Sequence, residues 1–136
     1  MQGATAFQKG LGCVHSLSHS LGGVNPKLHH GTLNAMFLPA VVRFNASAES
    51  MAKERRLERM ARVIGLSGCD ALGTEVAEAL REMNARLGLP SGLAAMGVTR
   101  DLFDRITDGA LADHCHKTNP RIASRDDYRE ILEASL

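Results

Sequence analysis

No apolar run in this 136-residue sequence approaches the roughly 18 residues needed to span a membrane. The opening segment MQGATAFQKG also lacks the apolar core of a signal peptide. A cytoplasmic protein without a membrane partner is therefore expected. The formal net charge is only +1, so there is no long-range field of the kind that draws nucleic acid, and no nucleic-acid partner is expected. Cys13, Cys69 and Cys115 are odd in number and far apart, which argues against a disulfide framework or a cysteine-based zinc site. Internal repeats and low-complexity tracts are absent as well. No stretch alternates apolar and polar residues like a strand, and no strand leads into a glycine-rich phosphate loop, so a dinucleotide has no evident binding site.

What remains has the composition of a soluble globular protein, 44% hydrophobic and 23% charged, at the length of one domain covering residues 1–136. Its periodicities are helical, and the expected fold class is all-α, a helical bundle. A first helix is expected around Gly12 to Leu21, ending at Gly22-Gly23, where the paired glycines and then Asn25-Pro26 break the pattern. From His30, HGTLNAMFLPAVVRF is apolar on nearly every side, as in a helix buried within a bundle, with a bend at Pro39. Ser47 can cap a third helix, ESMAKERRLERMARVIG, with a solvated arginine face and a stop at Gly65. A fourth carries Val76, Leu80, Met83 and Leu87 and ends at Gly88 and Pro90. Shorter helices are expected after Thr99 and after Ser124, the latter with Asp127 in a capping box. The polar segment DHCHKTNPR between them reads as a loop.

Four of the six histidines fall within GCVHSLSHSLGGVNPKLHHG. His15 and His19 are four apart, so on a helix they share a face, a spacing many metal sites use. Steps of about 100° per residue group them with Gly12 and Gly22, while Val14, Leu17 and Leu21 gather opposite. A backbone, a metal or a flat ligand could approach the histidine side closely. A His-x-x-x-His pair taken alone fits an ordinary hydrogen-bonded helix interface equally well. A zincin-type protease is excluded because Ser16 stands where that motif needs glutamate. His29 and His30 follow a Gly/Asn/Pro loop that can bring one of them back beside the pair. Imidazole suits iron, zinc, copper or nickel, and spacing does not choose among them.

Together, H-S-L-S-H-S-L-G-G at 15 to 23 and H-G-T-L-N-A-M-F-L-P at 30 to 39 resemble the signature of iron-dependent (group III) alcohol dehydrogenases. D-H-C-H-K-T-N-P-R at 113 to 121 resembles that family's closing segment. The resemblance implies the helical C-terminal domain of an enzyme whose other half is an N-terminal dinucleotide-binding domain, absent here. It implies a divalent metal, Fe(II) first and zinc second, with His15 and His30 as two of four ligands. His19 would lie beside nicotinamide and substrate as a proton relay, while NAD or NADP and a small alcohol or aldehyde would bind in the complete enzyme. Asp113 and Cys115 would lie near the cleft. The loop before the His-Gly pair is one residue longer than the pattern expects, so His29 competes with His30. Gly31 and Asn34-Ala35 keep His30 in register. The remaining ligands, an aspartate and a histidine, belong upstream, and only 14 residues precede His15. The isolated chain is accordingly expected to be inactive. The competing expectation is a non-enzymatic helical module that binds metal or self-associates as a homo-oligomer through the uncovered surface.

Overall fold

Glycines, prolines and caps divide the helical periodicity into short elements. The computed structural model of the chain describes residues 2–136. The α-helices are α1 (Gln2–Phe7), α2 (Gly12–Val24), α3 (His30–Asn45), α4 (Glu49–Lys53), α5 (Arg56–Val63), α6 (Thr74–Arg86), α7 (Phe103–Ala112) and α8 (Arg125–Ala134). Short 3-10 turns lie at Ala94–Met96, Arg100–Leu102 and His114–Thr118. There is no strand among the described residues, so the fold is all-α. None of these helices is long and apolar enough to cross a membrane.

The apolar helix α3 is central, touching α2, α6 and α8, while α2 also packs on α7 and the His114–Thr118 turn. Leu33 and Phe37 of α3 are fully buried, as are Leu17 and Leu21 of α2, Ile106 of α7, and Tyr128 and Leu132 of α8. A buried Leu, Ile or Phe contributes about 1.5–3 kcal/mol over an exposed one, so this shared cluster sets α2 firmly against α3. Helices α2 and α7 approach closely because Gly109 has no side chain. A Cβ there would run into Ser20, whose hydroxyl donates to the Ile106 carbonyl at 2.7 Å. A second cluster, including Val42, Met51, Leu57 and Val76, gathers α4 to α6 beside the end of α3.

Pro39 lies inside α3 and is itself buried. Having no N–H, it leaves the Ala35 carbonyl one turn back without its helical donor. Asn84 of α6 fills that role, donating Nδ2 to Ala35 O at 2.9 Å. The proline thereby frees an acceptor that fastens α6 to α3.

Four sequence expectations need correction. Gly22-Gly23 do not end α2, because neither takes a positive φ and the helix runs on to Val24. The stop is Asn25, extended at φ −135° as a residue before proline prefers to be. The stretch after Ser47 forms two helices rather than one, and Ala48, not Ser47, stands at the first N-cap. Met51 and Leu57 are six apart and would point about 120° away from each other on one continuous helix. The break at Arg55, in the left-handed region at φ 49°, accompanies the burial of both in the same cluster. Leu87 is 69% exposed, since α6 stops at Arg86. Gly88 at φ 70° turns the chain there, with Gly88 N–H on Ala85 O and Leu89 N–H on Asn84 O, so that Leu89 packs inward instead. Residues 114–118, expected as loop, form a 3-10 turn capped by the Asp113 side chain.

The capping box of α8 is formed as the sequence suggests. Ser124 Oγ accepts the Asp127 N–H at 3.1 Å, and Asp127 accepts the Ser124 N–H at 2.8 Å and its hydroxyl at 2.6 Å. Burial alone would raise the Asp127 carboxyl pKa, but the bonds from Ser124 and the Arg121 guanidinium outweigh it and hold the pKa below 3.8. A carboxyl depressed on folding stabilises above its unfolded pKa, and this is lost as pH falls through the depressed value. Asp127→Asn is therefore expected to lower stability by about 1 kcal/mol at neutral pH, with the gap to wild type closing below about pH 4. Urea unfolding at pH 7 and pH 3 measures this. An equal gap at both pH values would rule out the ionised carboxylate as its source.

Candidate functional site

The half-buried face of α2 carries His15 and His19, and its position depends on how the helix begins. Leu11, at the N-cap, supplies no side-chain bond to the free N–H groups of the first turn. The closing segment supplies them from 106 residues away: Thr118 Oγ1 accepts the Gly12 N–H at 3.3 Å, and Asn119 Oδ1 accepts the Cys13 N–H at 3.0 Å. Gly12 is required for this approach. It has φ 66°, and a Cβ there would lie 2.5 Å from Asn119 Oδ1. The amide of Asn119 also exchanges bonds with Asn45 at the end of α3 and donates to Arg121 O. One buried side chain thus joins α2, α3 and the segment bearing Asp113.

Four imidazoles meet on this scaffold. Ring centroids lie 5.6 Å apart for His15 and His19, 5.2 Å for His15 and His30, and 5.3 Å for His19 and His30. His114 stacks on the other neighbour of this group, 6.1 Å from His19. The two candidates His29 and His30 lie in different places. His30 opens α3 beside His15, whereas exposed His29 folds its ring back near Gly31 of its own chain. His15 Nε2 and His30 Nε2 converge on Asn34 Nδ2, at 3.3 and 3.1 Å. His30 Nδ1 lies 3.3 Å from the buried Ser18 hydroxyl. Burial, then the neighbouring His30 and His19, lowers the His15 pKa and favours the neutral ring that offers a lone pair.

His19 is held differently. Its Nδ1 lies 3.0 Å from Asp113 Oδ2, and Asp113 Oδ1 accepts the Cys115 N–H at 2.8 Å. Burial would raise the Asp113 pKa, but the Cys115 N–H and His19 bonds outweigh it, so the group is held below the usual carboxylate value. The Cys115 thiol is pushed up to about 11 by burial and by Asp113, which keeps it protonated. A ring nitrogen of His19, an Asp113 oxygen and Cys115 Sγ lie within 4.8 Å of one another. Nδ1 and the carboxylate already pair, and the sulfur is a thiol, so this cluster is a hydrogen-bonded support.

The converging lone pairs on His15 and His30 suit a divalent cation. Asn34 now places its amide donor where they meet, and its Oδ1 is buried without a hydrogen-bond partner. A cation there would take over the two ring nitrogens that the amide now holds, so the donor set fits a metal as a two-imidazole part of its coordination. The sequence reading missed Asn34, Asn119 and His114. Asn34 carries a visible signal, lying one helical turn after His30. The other two carry none, because their partners are about a hundred residues away.

An all-helical domain with an imidazole cluster on one open face defines the class. The description "Fe-containing alcohol dehydrogenase family, C-terminal" matches residues 2–136, and the chain belongs to this family. It is similar to the 4-hydroxybutyrate dehydrogenase of Cupriavidus necator, 56% identical over 140 residues, covering 100% of this chain and 36% of that protein. The NAD-dependent methanol dehydrogenase of Bacillus methanolicus is 36% identical over 140 residues, covering 100% of this chain and 35% of the relative. Among solved structures, an alcohol dehydrogenase from Oenococcus oeni superposes with a TM-score of 0.82 at 26% identity, covering 93% of this chain and 33% of that one. The chain thus spans about a third of the length of the relatives it matches.

Asn119→Ala removes the acceptor for Cys13 N–H and the partner of Asn45. A loss of about 1–3 kcal/mol is expected, the scale of leaving buried polar groups unpaired. Exchange of the Gly12 and Cys13 amide protons should accelerate ahead of global unfolding. Unchanged protection at those amides would show that the closing segment does not hold the start of α2.

Proposed function

We propose that this chain is the metal- and substrate-facing helical domain of an NAD(P)-dependent, iron-containing alcohol dehydrogenase. The observation that carries this reading is the convergence of His15 Nε2 and His30 Nε2 on one point beside His19. His15 and His30 would hold the metal as neutral ligands, a state that burial of His15 favours. Bound there, a divalent metal, Fe(II) in the first instance or zinc, supplies Lewis acidity toward an alcohol or aldehyde oxygen. His19 is close enough to this pair to pass the alcohol proton outward, and Asp113 stabilises the ring while it does so. Ser18 orients His30 through its Nδ1, as outer partners commonly orient ligand histidines. NAD or NADP would be held by a dinucleotide-binding domain additional to these residues. The similarity to a 4-hydroxybutyrate dehydrogenase makes a short primary alcohol with a distal carboxylate the first substrate to try.

His15→Ala and His30→Ala should each weaken Fe(II) or Zn(II) binding by roughly tenfold or more, since even outer-sphere partners act on that scale. His29→Ala should leave it unchanged. Competition titration against a chromophoric chelator reads this directly, and equal binding by all three variants would remove the metal assignment. Residues 1–136 alone should give no nicotinamide reduction with 4-hydroxybutyrate or simple primary alcohols. Assembly with the dinucleotide-binding domain and Fe(II) under anaerobic conditions should restore it. Turnover by the 136-residue chain alone would overturn the need for a second domain. No turnover by the assembled enzyme with any primary alcohol would overturn the dehydrogenase reading.

A further inference from the structure

Asp113 has no part in the metal pair, yet both oxygens of its carboxylate are held. Its side chain is only 15% exposed. One oxygen is fixed by the Cys115 N–H at 2.8 Å, in a turn that Asp113 itself caps. That turn is anchored to α2 through Thr118 and then Asn119. The other oxygen is thereby aimed at His19 Nδ1, 3.0 Å away. Each oxygen of the carboxylate thus has its own partner, which restrains its orientation.

The consequences fall on the His19 ring. A carboxylate can only accept, so Nδ1 must carry the proton and Nε2 must keep its lone pair. The ring also stacks with two others, His30 at 5.3 Å with an 18° interplanar angle and His114 at 6.1 Å with 24°. Stacking fixes its plane and Asp113 fixes its rotation within that plane. Nε2 makes no hydrogen bond to any described residue. The side chain of His19 is 35% exposed.

We propose that Asp113 is a positioning residue: it sets the tautomer and orientation of His19 so that Nε2, not Nδ1, exchanges the proton of the reacting alcohol. Asp113 makes no hydrogen bond to His15 or His30 among the described residues, and it acts through His19. The proposal rests on the dehydrogenase reading for its kinetic consequence, whereas the tautomer itself does not depend on that reading.

Two measurements test it. Long-range ¹H–¹⁵N correlation spectra of the 136-residue chain, recorded above the imidazole titration range, should show His19 protonated at Nδ1. Asp113→Asn, close in shape, and Asp113→Ala should both lose that preference. A wild-type ring protonated at Nε2, or one whose tautomer is the same in both variants, would overturn the proposal, whatever the enzyme catalyses. In the assembled enzyme, Asp113→Ala should lower kcat by about 10²-fold, the usual size of a general acid–base contribution, with KM for the alcohol and bound iron nearly unchanged. His19→Ala should fall equally, and the His19→Ala/Asp113→Ala double variant should be no slower than His19→Ala alone. Additive losses in the double variant, or loss of iron in Asp113→Ala, would show a structural role and overturn the assignment. If His19→Ala turned over like wild type while the tautomer followed Asp113, the relay role of His19 would fail and not the hydrogen bond.

Discussion

Helix α2 has no cap of its own, and the way this is supplied governs everything functional in the molecule. Its first N–H groups point at Thr118 and Asn119. A missing cap costs a helix about 1 kcal/mol and frays its first turn, where His15 sits. Because the cap comes from the closing segment, the same bonds that order the first turn also deliver Asp113 to His19. The ends of the sequence are thereby tied to each other through one buried amide, which reaches Asn45 at the end of α3 too. Stability and the placement of the closing segment share the Thr118 and Asn119 bonds.

The core side of α2 and its histidine side obey different physics. Leu17 and Leu21 are fully buried against α3, α7 and α8, and close packing holds them. On the other side, a Cβ at Gly22 or Gly23 would meet nothing within 4 Å, and His15 and His19 remain half-buried. Rigid packing behind and open space in front is the arrangement a binding face requires. The imidazoles share a small volume, and burial, then this crowding, lowers the His15 pKa. Asn34 and Asp113 resolve it in two ways: one donates to lone pairs and the other accepts a proton.

Much of this was legible in the sequence. The 3.6-residue periodicity located the buried helix and the amphipathic one, and Ser124 with Asp127 announced the start of α8. The long histidine signature pointed to the family to which the chain belongs. Local rules placed several element ends wrongly. Gly22-Gly23 stayed helical because Pro26, not flexibility, sets the end of α2. The helix after Ser47 broke where Met51 and Leu57 are both buried in one cluster. Leu87 lost its place in the core to Leu89 when Gly88 reversed the chain.

The sequence by itself determined the all-α class, the pairing of His15 with His19 on one face, and the family. Each depends on residues within a turn or two of each other, or on an unbroken pattern of residue types. Only the tertiary structure decided which of His29 and His30 meets the pair, that Asn34 lies between two ring nitrogens, and that Asp113 fixes His19. His19 and Asp113 are 94 positions apart, and no local periodicity encodes a contact at that range. It arises because burial of α2 against α3 and α7, with capping from the closing segment, leaves the chain one way to close.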